Sequence, residues 1–333
     1  MADLTTRYMG LSLRNPLIAG SSGLTSSIDN IVELEKAGAG AVVLKSLFEE
    51  QIAIEANASL KKAENNDLIY TGKSEALDYI DLKIREETLS GYLGLIREAK
   101  QRTVIPVIAS INCVTSSDWI TFATEVEKAG ADALELNIAI MHADHEIGSE
   151  EVEARYFEIV SKVLSTVKNI PVAVKISPYF TNLAHMVIKL SETGIKGIVM
   201  FNRFYSPDID INTLTEKSTG TLSNPSEAAN VLRWMTILAG RTGCDLAAST
   251  GIHDGTAMIK QLLAGASAVQ VVSSIYRNGI EVISSMTGDL EKYMEKNRYN
   301  YIDQLKGKLK RDENSNVAAF ERIQFMKYFS EIV

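Results

Sequence analysis

The most regular feature of this chain is a repeated switch from an amphipathic stretch to a short apolar run. Four times a helix-like segment ends in a glycine, and an apolar run follows almost at once. The four junctions lie at residues 36–39 before 41–45, 128–131 before 133–137, 192–195 before 197–202, and 263–266 before 268–271. A glycine in the left-handed cap conformation ends a helix without strain, so each junction predicts the helix-to-strand half of a βαβ unit.

Further apolar runs fill the gaps between these junctions. They cover residues 17–20, 106–111, 171–175 and 244–249. Their near-continuous apolar character is typical of parallel strands that are buried on both faces. Helical patterns lie near residues 28–37, 118–129, 150–167, 183–192, 225–239 and 255–263, and Asn224 is a suitable N-cap before Pro225. Alternating strands and helices in this number predict an α/β protein built on a (β/α)₈ barrel, or TIM barrel.

Two regions depart from a minimal barrel. Residues 48–87 form a long, polar insertion after the second strand, which we expect to fold over the strand ends as a lid or substrate loop. Residues 312–333 carry apolar side chains at helical spacing. We therefore divide the chain into a barrel at 1–305 and a helical extension at 306–333 that packs on the barrel or on a partner subunit.

Composition narrows the range of partners. The 333 residues are 46% hydrophobic, enough for a large core, and 34 basic against 42 acidic residues give a net charge of -8. This charge, without any basic run, argues against nucleic acid and anionic membranes as partners and favours a small molecule. Cys113 and Cys244 are too few for a disulfide scaffold. Without a signal-like start or an apolar run of about 20 residues, we expect a soluble, cytoplasmic protein.

The last two predicted strands end in small and hydroxyl-bearing residues. Leu246-Ala247-Ala248-Ser249-Thr250-Gly251 is followed one helix later by Ala268-Val269-Gln270-Val271-Val272-Ser273-Ser274. In a (β/α)₈ barrel the ends of the last two strands form the usual phosphate site. Small residues can also serve packing alone, but two such runs in tandem favour a phosphorylated cofactor.

Other predicted strands also end in polar residues. Lys45 and Lys175 stand out because lysines rarely end buried strands without a partner. An ammonium that faces a cofactor ring would stabilise negative charge as the ring accepts electrons, although each lysine could instead be salt-bridged or reach solvent. Asn137 and Asn202 can each offer a donor and an acceptor to a planar heterocycle, or to local backbone.

Several segments, in matching order and spacing, resemble the flavin-dependent dihydroorotate dehydrogenase family, and its soluble class 1 branch most closely. They are Asn15-Pro16-Leu17-Ile18-Ala19-Gly20-Ser21-Ser22-Gly23, Val43-Leu44-Lys45-Ser46, Leu134-Glu135-Leu136-Asn137, Val174-Lys175-Ile176-Ser177-Pro178-Tyr179-Phe180, Ser249-Thr250-Gly251-Ile252 and Val269-Gln270-Val271-Val272-Ser273. The resemblance implies FMN inside the barrel, with its phosphate near Gly251 and Ser273, and a homodimer.

The strand-end pattern and the resemblance together give the predicted site residues. The cofactor-binding set is Ser22, Lys45, Ser46, Asn137, Lys175, Thr250, Gly251, Val272, Ser273 and Ser274. The substrate-binding set is Lys45, Asn137, Asn202 and Arg203. No metal is implied, because His142 and His145 alone are too sparse for a zinc site.

The chain departs from the family pattern where substrate chemistry takes place. The family has Asn-x-Ser-Cys-Pro-Asn after the fourth strand, whereas this chain reads Asn137-Ile138-Ala139-Ile140-Met141-His142. Ile140 thus occupies the position of the proton-accepting cysteine and cannot take a proton. The family's substrate loop has no counterpart either. His142 is our candidate replacement base, since histidine has a suitable pKa, with a surface-loop histidine as the alternative.

These observations predict an FMN-dependent oxidoreductase that acts on CH-CH groups and resembles dihydroorotate dehydrogenase, which converts dihydroorotate to orotate in pyrimidine biosynthesis. Two alternatives stay open: a flavin oxidoreductase for another small substrate, and a non-catalytic paralogue that binds flavin. A colourless barrel aldolase or isomerase for sugar phosphates is a more distant alternative.

Overall fold

The structure, a computed structural model, describes residues 2–50, 54, 73–140, 144–204, 206–220, 222–312, 322–323 and 326–327. In chain order its strands are β1 (Thr6–Tyr8), β2 (Leu11–Leu13), β3 (Leu17–Ala19), β4 (Ala41–Val43), β5 (Leu47–Phe48), β6 (Val107–Asn112), β7 (Ala133–Asn137), β8 (Val172–Ile176), β9 (Gly197–Met200), β10 (Ser206–Asp210), β11 (Thr215–Thr219), β12 (Asp245–Ser249) and β13 (Ala268–Val271). The α-helices are α1 (Ile28–Lys36), α2 (Lys73–Arg102), α3 (Ser116–Ala129), α4 (Ser149–Thr166), α5 (Leu183–Ser191), α6 (Ala228–Leu238), α7 (Gly255–Ala264), α8 (Ser273–Asn278) and α9 (Val282–Lys296).

Eight of these strands form a closed parallel barrel. Their order around it is β3, β4, β6, β7, β8, β9, β12 and β13, which is also their order along the chain. Closure comes from the pairing of β13 with β3, where Val271 lies opposite Ala19. A helix follows each barrel strand. The predicted (β/α)₈ architecture is therefore confirmed.

The hairpin of β1 and β2 closes the amino-terminal end of the barrel. Tyr8, Met9 and Leu13 are buried against inward-facing alanines and branched side chains of the barrel strands. The fit is tight, because a Cβ atom on Gly197 would lie only 2.9 Å from the Met9 side chain. With this end filled, the carboxyl ends of the strands are left as the place for a site.

The predicted helix caps are present. Gly38, Gly130, Gly194 and Gly265 have φ angles of 108°, 91°, 104° and 119°, the left-handed region that glycine adopts without strain. Asn224 forms a capping box ahead of Pro225 and of the 3₁₀ turn that leads into α6. The local signals that defined the repeat thus act as predicted.

The insertion after the second barrel strand differs in part from our expectation. Residues 73–87, expected in a lid or loop, belong to the helix α2. Leu93, Ile96 and Ala99 are buried at a spacing of three and hold this helix on the barrel. The rest of the predicted lid, at residues 51–53 and 55–72, lies outside the described residues.

Further elements were not predicted, among them β1, β2, β5, a second hairpin and two helices. The hairpin of β10 and β11 follows β9, and two helices, α8 and α9, follow the last strand. Ile283, Met286, Leu290 and Met294 line the buried face of α9. Of the predicted carboxyl-terminal helix at 312–333, only Asp312, 322–323 and 326–327 are described, and the last two pairs are helical. The domain boundary at 305 stays a prediction.

Candidate active site

A polar cavity of about 180 Å³ opens among the carboxyl ends of the barrel strands. Its lining includes seven residues that the sequence predicted for the site: Lys175, Asn202, Arg203, Thr250, Gly251, Val272 and Ser273. The rest of the lining is formed by Ser21, Phe201, Ser223, Ser249, Ile252 and Gln270. The cavity thus brings together residues from both ends of the chain, as the ends of parallel barrel strands require.

The turn after β12 forms one end of this cavity. Thr250 and Gly251 both have positive φ angles, of 81° and 77°. Such a conformation is strained for a β-branched residue, and the Thr250 hydroxyl offsets it in part by donating to the Phe201 carbonyl at 3.1 Å. A Cβ atom on Gly251 would overlap the backbone of Ala228, so only glycine fits there.

A cluster of hydroxyls and amides surrounds that turn. The Gly251 amide donates to the Ser223 hydroxyl at 3.3 Å, and the Ser223 amide donates to the Ser273 hydroxyl at 2.9 Å. His253 Nε2 lies 3.0 Å from the same Ser223 hydroxyl. Burial, followed by the nearby Arg277 guanidinium, lowers the pKa of His253. Both amides are used within the cluster, and the hydroxyls of Ser223 and Ser273 are the groups on this concave wall that suit an anion such as phosphate.

Hydrogen bonds join the opposite strand ends in a row. The Ser46 amide donates to the Ser21 hydroxyl at 2.9 Å, and the hydroxyls of Ser46 and Ser110 lie 2.7 Å apart. The side-chain Nδ2 of Asn137 donates to Ser46 Oγ at 3.3 Å, and the side-chain Nδ2 of Asn202 donates to Asn137 Oδ1 at 2.6 Å. The residues in the row lie in or just after five barrel strands, β3, β4, β6, β7 and β9, so the hydrogen bonds fix these side chains relative to one another.

Lys175 is held from below by two buried side chains. Its ammonium donates to Gln270 Oε1 at 2.9 Å and lies 3.7 Å from Glu135 Oε1. Gln270 Nε2 donates to the other Glu135 oxygen at 2.5 Å. Lys175 therefore lines the polar cavity and is also paired with Glu135, whereas its place beside a cofactor ring stays a prediction.

Other predicted cofactor residues lie nearby, in different settings. Lys45 and Ser46 line an adjoining cavity of about 220 Å³, together with Tyr92 of α2. The Ser22 hydroxyl accepts from the Leu24 amide and caps a 3₁₀ turn. The buried Ser274 hydroxyl donates to the His253 carbonyl at 2.8 Å, which is a structural contact.

Arg203, predicted to bind substrate, makes firm contacts within the protein. Its guanidinium Nε donates to Glu227 Oε2 at 3.0 Å, and Nη1 donates to the Gly220 carbonyl at 2.6 Å. Asn202 and Arg203 also line a second cavity of about 440 Å³, with Tyr179 and Phe204. This larger cavity adjoins the polar one and gives room for a second small molecule.

The proposed replacement base, His142, lies outside the described residues. Ile140 is half-buried and packs on the core. His145 is exposed. Burial raises the pKa of Tyr156 to about 12, which the backbone of Ile140 and the hydroxyl of Ser177 offset only in part. A phenol with that pKa stays protonated near neutral pH, so Tyr156 is not a proton acceptor there.

Sequence reasoning missed three residues of this site: Ser223, Gln270 and Glu135. Glu135 and Gln270 each interrupt an apolar strand with a buried polar side chain, a signal that the sequence carried. Ser223 lies in a loop after β11 and had no such signal.

Within the described residues, no group of three His, Cys, Asp or Glu side chains could hold a metal ion. None of the helices in that part of the chain has the length and apolar character that a bilayer crossing requires.

Comparison with known proteins gives one consistent match. The family model described as "Dihydroorotate dehydrogenase" covers residues 3–294. The chain is 27% identical over 314 residues to "Dihydroorotate dehydrogenase B (NAD(+)), catalytic subunit" of Thermoplasma volcanium, with 92% of this chain and 98% of the relative covered. Proteins of the same name are 28% identical over 315 residues in Thermoplasma acidophilum, with 92% and 99% covered, and 25% identical over 302 residues in Methanosarcina acetivorans, with 90% and 93% covered.

Proposed function

The chain belongs to the dihydroorotate dehydrogenase family, and we propose that it is an FMN-dependent oxidoreductase. One observation carries the proposal. A single polar cavity has the Lys175 ammonium on its wall and the Ser223, Gly251 and Ser273 cluster at its end. A phosphorylated redox heterocycle needs both features, a donor cluster for its phosphate and a fixed cation beside its ring.

The residues present fit FMN in their chemistry. Beside the Gly251 turn, Ser223 and Ser273 would hold the phosphate through their hydroxyl groups, while Lys175 and Asn137 would form hydrogen bonds with the polar edge of the ring. When bound, FMN would accept a hydride, which carries two electrons, from a substrate carbon.

The protein's own groups would act mainly by positioning. The Lys175 ammonium is fixed by Gln270 and can stabilise negative charge on a reduced ring without reorganising. Asn137 and Asn202 are bonded to each other, so each presents a defined face to a ligand. Lys45, Asn137, Asn202 and Arg203 are the proposed substrate contacts.

Dihydroorotate is the first substrate to test, and Ile140 is the reason to test others. Removal of hydrogen from a CH-CH bond needs a proton acceptor opposite the flavin, which a hydrocarbon side chain cannot be. If Ile140 occupies the family's cysteine position, either His142 takes the proton or the substrate is a different small molecule. A flavin-binding paralogue without turnover is the remaining alternative.

The names of the relatives support a proposal about a protein partner. They are called catalytic subunits and carry NAD(+) in their names. This supports the proposal that the chain works with a second polypeptide, in addition to the homodimer expected from the sequence.

The test is anaerobic reduction of the bound flavin. Purified protein is mixed with dihydroorotate and, separately, with other small CH-CH and carbonyl substrates, and the flavin absorbance is followed. Bleaching by at least one of them supports an oxidoreductase. A flavin that dithionite bleaches but no substrate does would favour the non-catalytic paralogue.

A further inference from the structure

The barrel interior contains a buried carboxylate, Glu135, to which the proposed function assigns no role. Glu135 lies in the middle of β7 and is 1% exposed. The small side chains of Ala133, Ala173 and Ala247 face the same interior and leave room for it. A buried carboxylate is expensive unless it is paired and hydrogen-bonded, so its environment should explain its presence.

Its partners are Gln270 and Lys175. The Gln270 side-chain amide lies between the two charges and uses both ends, because Nε2 donates to Glu135 Oε2 at 2.5 Å and Oε1 accepts from Lys175 at 2.9 Å. Glu135 Oε1 has no hydrogen bond and lies 3.7 Å from the Lys175 ammonium. All three residues are less than a tenth exposed.

The charge of Glu135 also contributes to the raised pKa of two buried phenols. The pKa of Tyr8 is raised well above its usual range, first by burial and then by the charges of Glu135 and Asp245. The pKa of Tyr92, in α2, is also raised, mainly by burial and also by Glu135. Among the described residues, Lys175 is the cationic side chain paired with Glu135, at 3.7 Å.

We infer that Glu135 is a positioning residue that acts through Gln270: it fixes the Lys175 ammonium at the cavity wall and cancels most of its charge. The part that concerns flavin rests on the proposed function. Lys175 would then give a reduced ring a hydrogen-bond donor, while the trio as a whole adds no net charge beneath it. Glu135 would keep the flavin harder to reduce than Lys175 alone would make it.

The test exploits the opposite signs that this role predicts. Glu135→Gln keeps the shape and the acceptor for Gln270 but removes the charge. In this variant, the ratio of the affinities for reduced and oxidised FMN should rise about tenfold in favour of the reduced form. The ratio is obtained from the midpoint potential of the bound flavin. Lys175→Met should shift it about tenfold the other way, and the double variant should return near the wild-type value. Glu125→Gln, which alters an exposed pair with Lys128, is the control and should shift nothing.

If Glu135 had only a structural role, Glu135→Gln would be less stable but would have the wild-type midpoint potential. That result would overturn the inferred role of Glu135 and would leave the proposal of FMN binding untouched. A protein that binds no FMN in any form would overturn the proposed function and the flavin part together. The positioning part has its own readout in apoprotein. The loss of unfolding free energy in Glu135→Gln/Lys175→Met should be smaller than the sum of the single losses, and simple additivity would contradict it.

Discussion

The hydroxyl of Ser223 lies 3.0 Å from Nε2 of His253 and accepts the Gly251 amide at 3.3 Å. Ser223 follows the hairpin of β10 and β11, whereas His253 follows β12, so the contact ties two loops together at the end of the polar cavity. The proposed phosphate site is thus built across loops and depends on both.

This contact predicts a pH dependence of stability. The folded-state pKa of His253 lies below the ordinary value of 6.5, mainly because burial disfavours the charged ring. Stability that depends on the neutral ring is present above about pH 6.5 and is lost as the pH falls through the lower folded-state pKa. Thermal unfolding of apoprotein between pH 8 and about pH 5 should therefore lose less in His253→Gln than in wild type. Parallel curves for the two proteins would contradict the assignment.

Gly251→Ala should damage the proposed phosphate site. The added Cβ atom would overlap the backbone of Ala228 and would also sit at a left-handed φ of 77°. The start of α6 must shift, so FMN affinity should fall at least about tenfold, with a loss of stability of about 2 kcal/mol or more. Fluorescence titration with FMN and thermal unfolding measure the two effects.

Gly130→Ala is the matched control for this change. Gly130 has a φ of 91° but open space around its Cβ position. It should lose about 1 kcal/mol of stability for the left-handed conformation and keep its FMN affinity. An equal loss of FMN affinity in both variants would mean that the effect is global.

Some parts of the fold could be predicted from local sequence patterns and others could not. The barrel could be predicted because glycine caps such as Gly38 and Gly130 mark strand starts locally, and continuous apolar runs identify buried parallel strands. The hairpin of β10 and β11 could not be predicted in this way, since the sequence of its strands is mostly polar. Helix α2 was not predicted because its few buried positions, Leu93, Ile96 and Ala99, are outnumbered by exposed residues and give a weak helical pattern.

The residues of the candidate site also fall into those that a local sequence pattern predicts and those that it does not. Thr250, Gly251 and Ser273 follow strands directly, so the strand pattern and the family resemblance located them. Ser223 reaches the site from a long loop, and only tertiary structure brings it to Gly251. The pairing of Glu135 with Gln270 joins residues 135 positions apart, which no local pattern specifies.

Ile140→Cys should restore the proton acceptor that the family resemblance implies. If the missing base limits dihydroorotate oxidation, flavin bleaching by dihydroorotate should be faster in this variant by about 10²-fold or more, with a rate that rises with pH as the thiol ionises. Stopped-flow absorbance is the measurement. Rapid bleaching in wild type, unchanged by Ile140→Cys, would mean that another group takes the proton.

His142→Ala decides whether that other group is His142. A rapid wild-type rate should collapse about 10²-fold or more in this variant, and the wild-type rate should rise with pH through the histidine range. Replacement of the exposed His145 by Ala is the control and should leave the rate unchanged. Equal rates in both variants would place the base elsewhere.

The central claim is that FMN binds with its phosphate at Gly251, Ser223 and Ser273. The most direct measurement is the visible spectrum of the purified protein, with the released cofactor identified by mass, in wild type and in Ser273→Glu. The glutamate adds bulk and negative charge where the phosphate should bind, whereas Ser273→Ala removes only a hydroxyl. We predict a yellow wild type that releases FMN, a yellow Ser273→Ala with weaker binding, and a colourless, folded Ser273→Glu. A Ser273→Glu protein that retains its full complement of FMN, or a wild type that remains colourless after incubation with FMN, would contradict the claim.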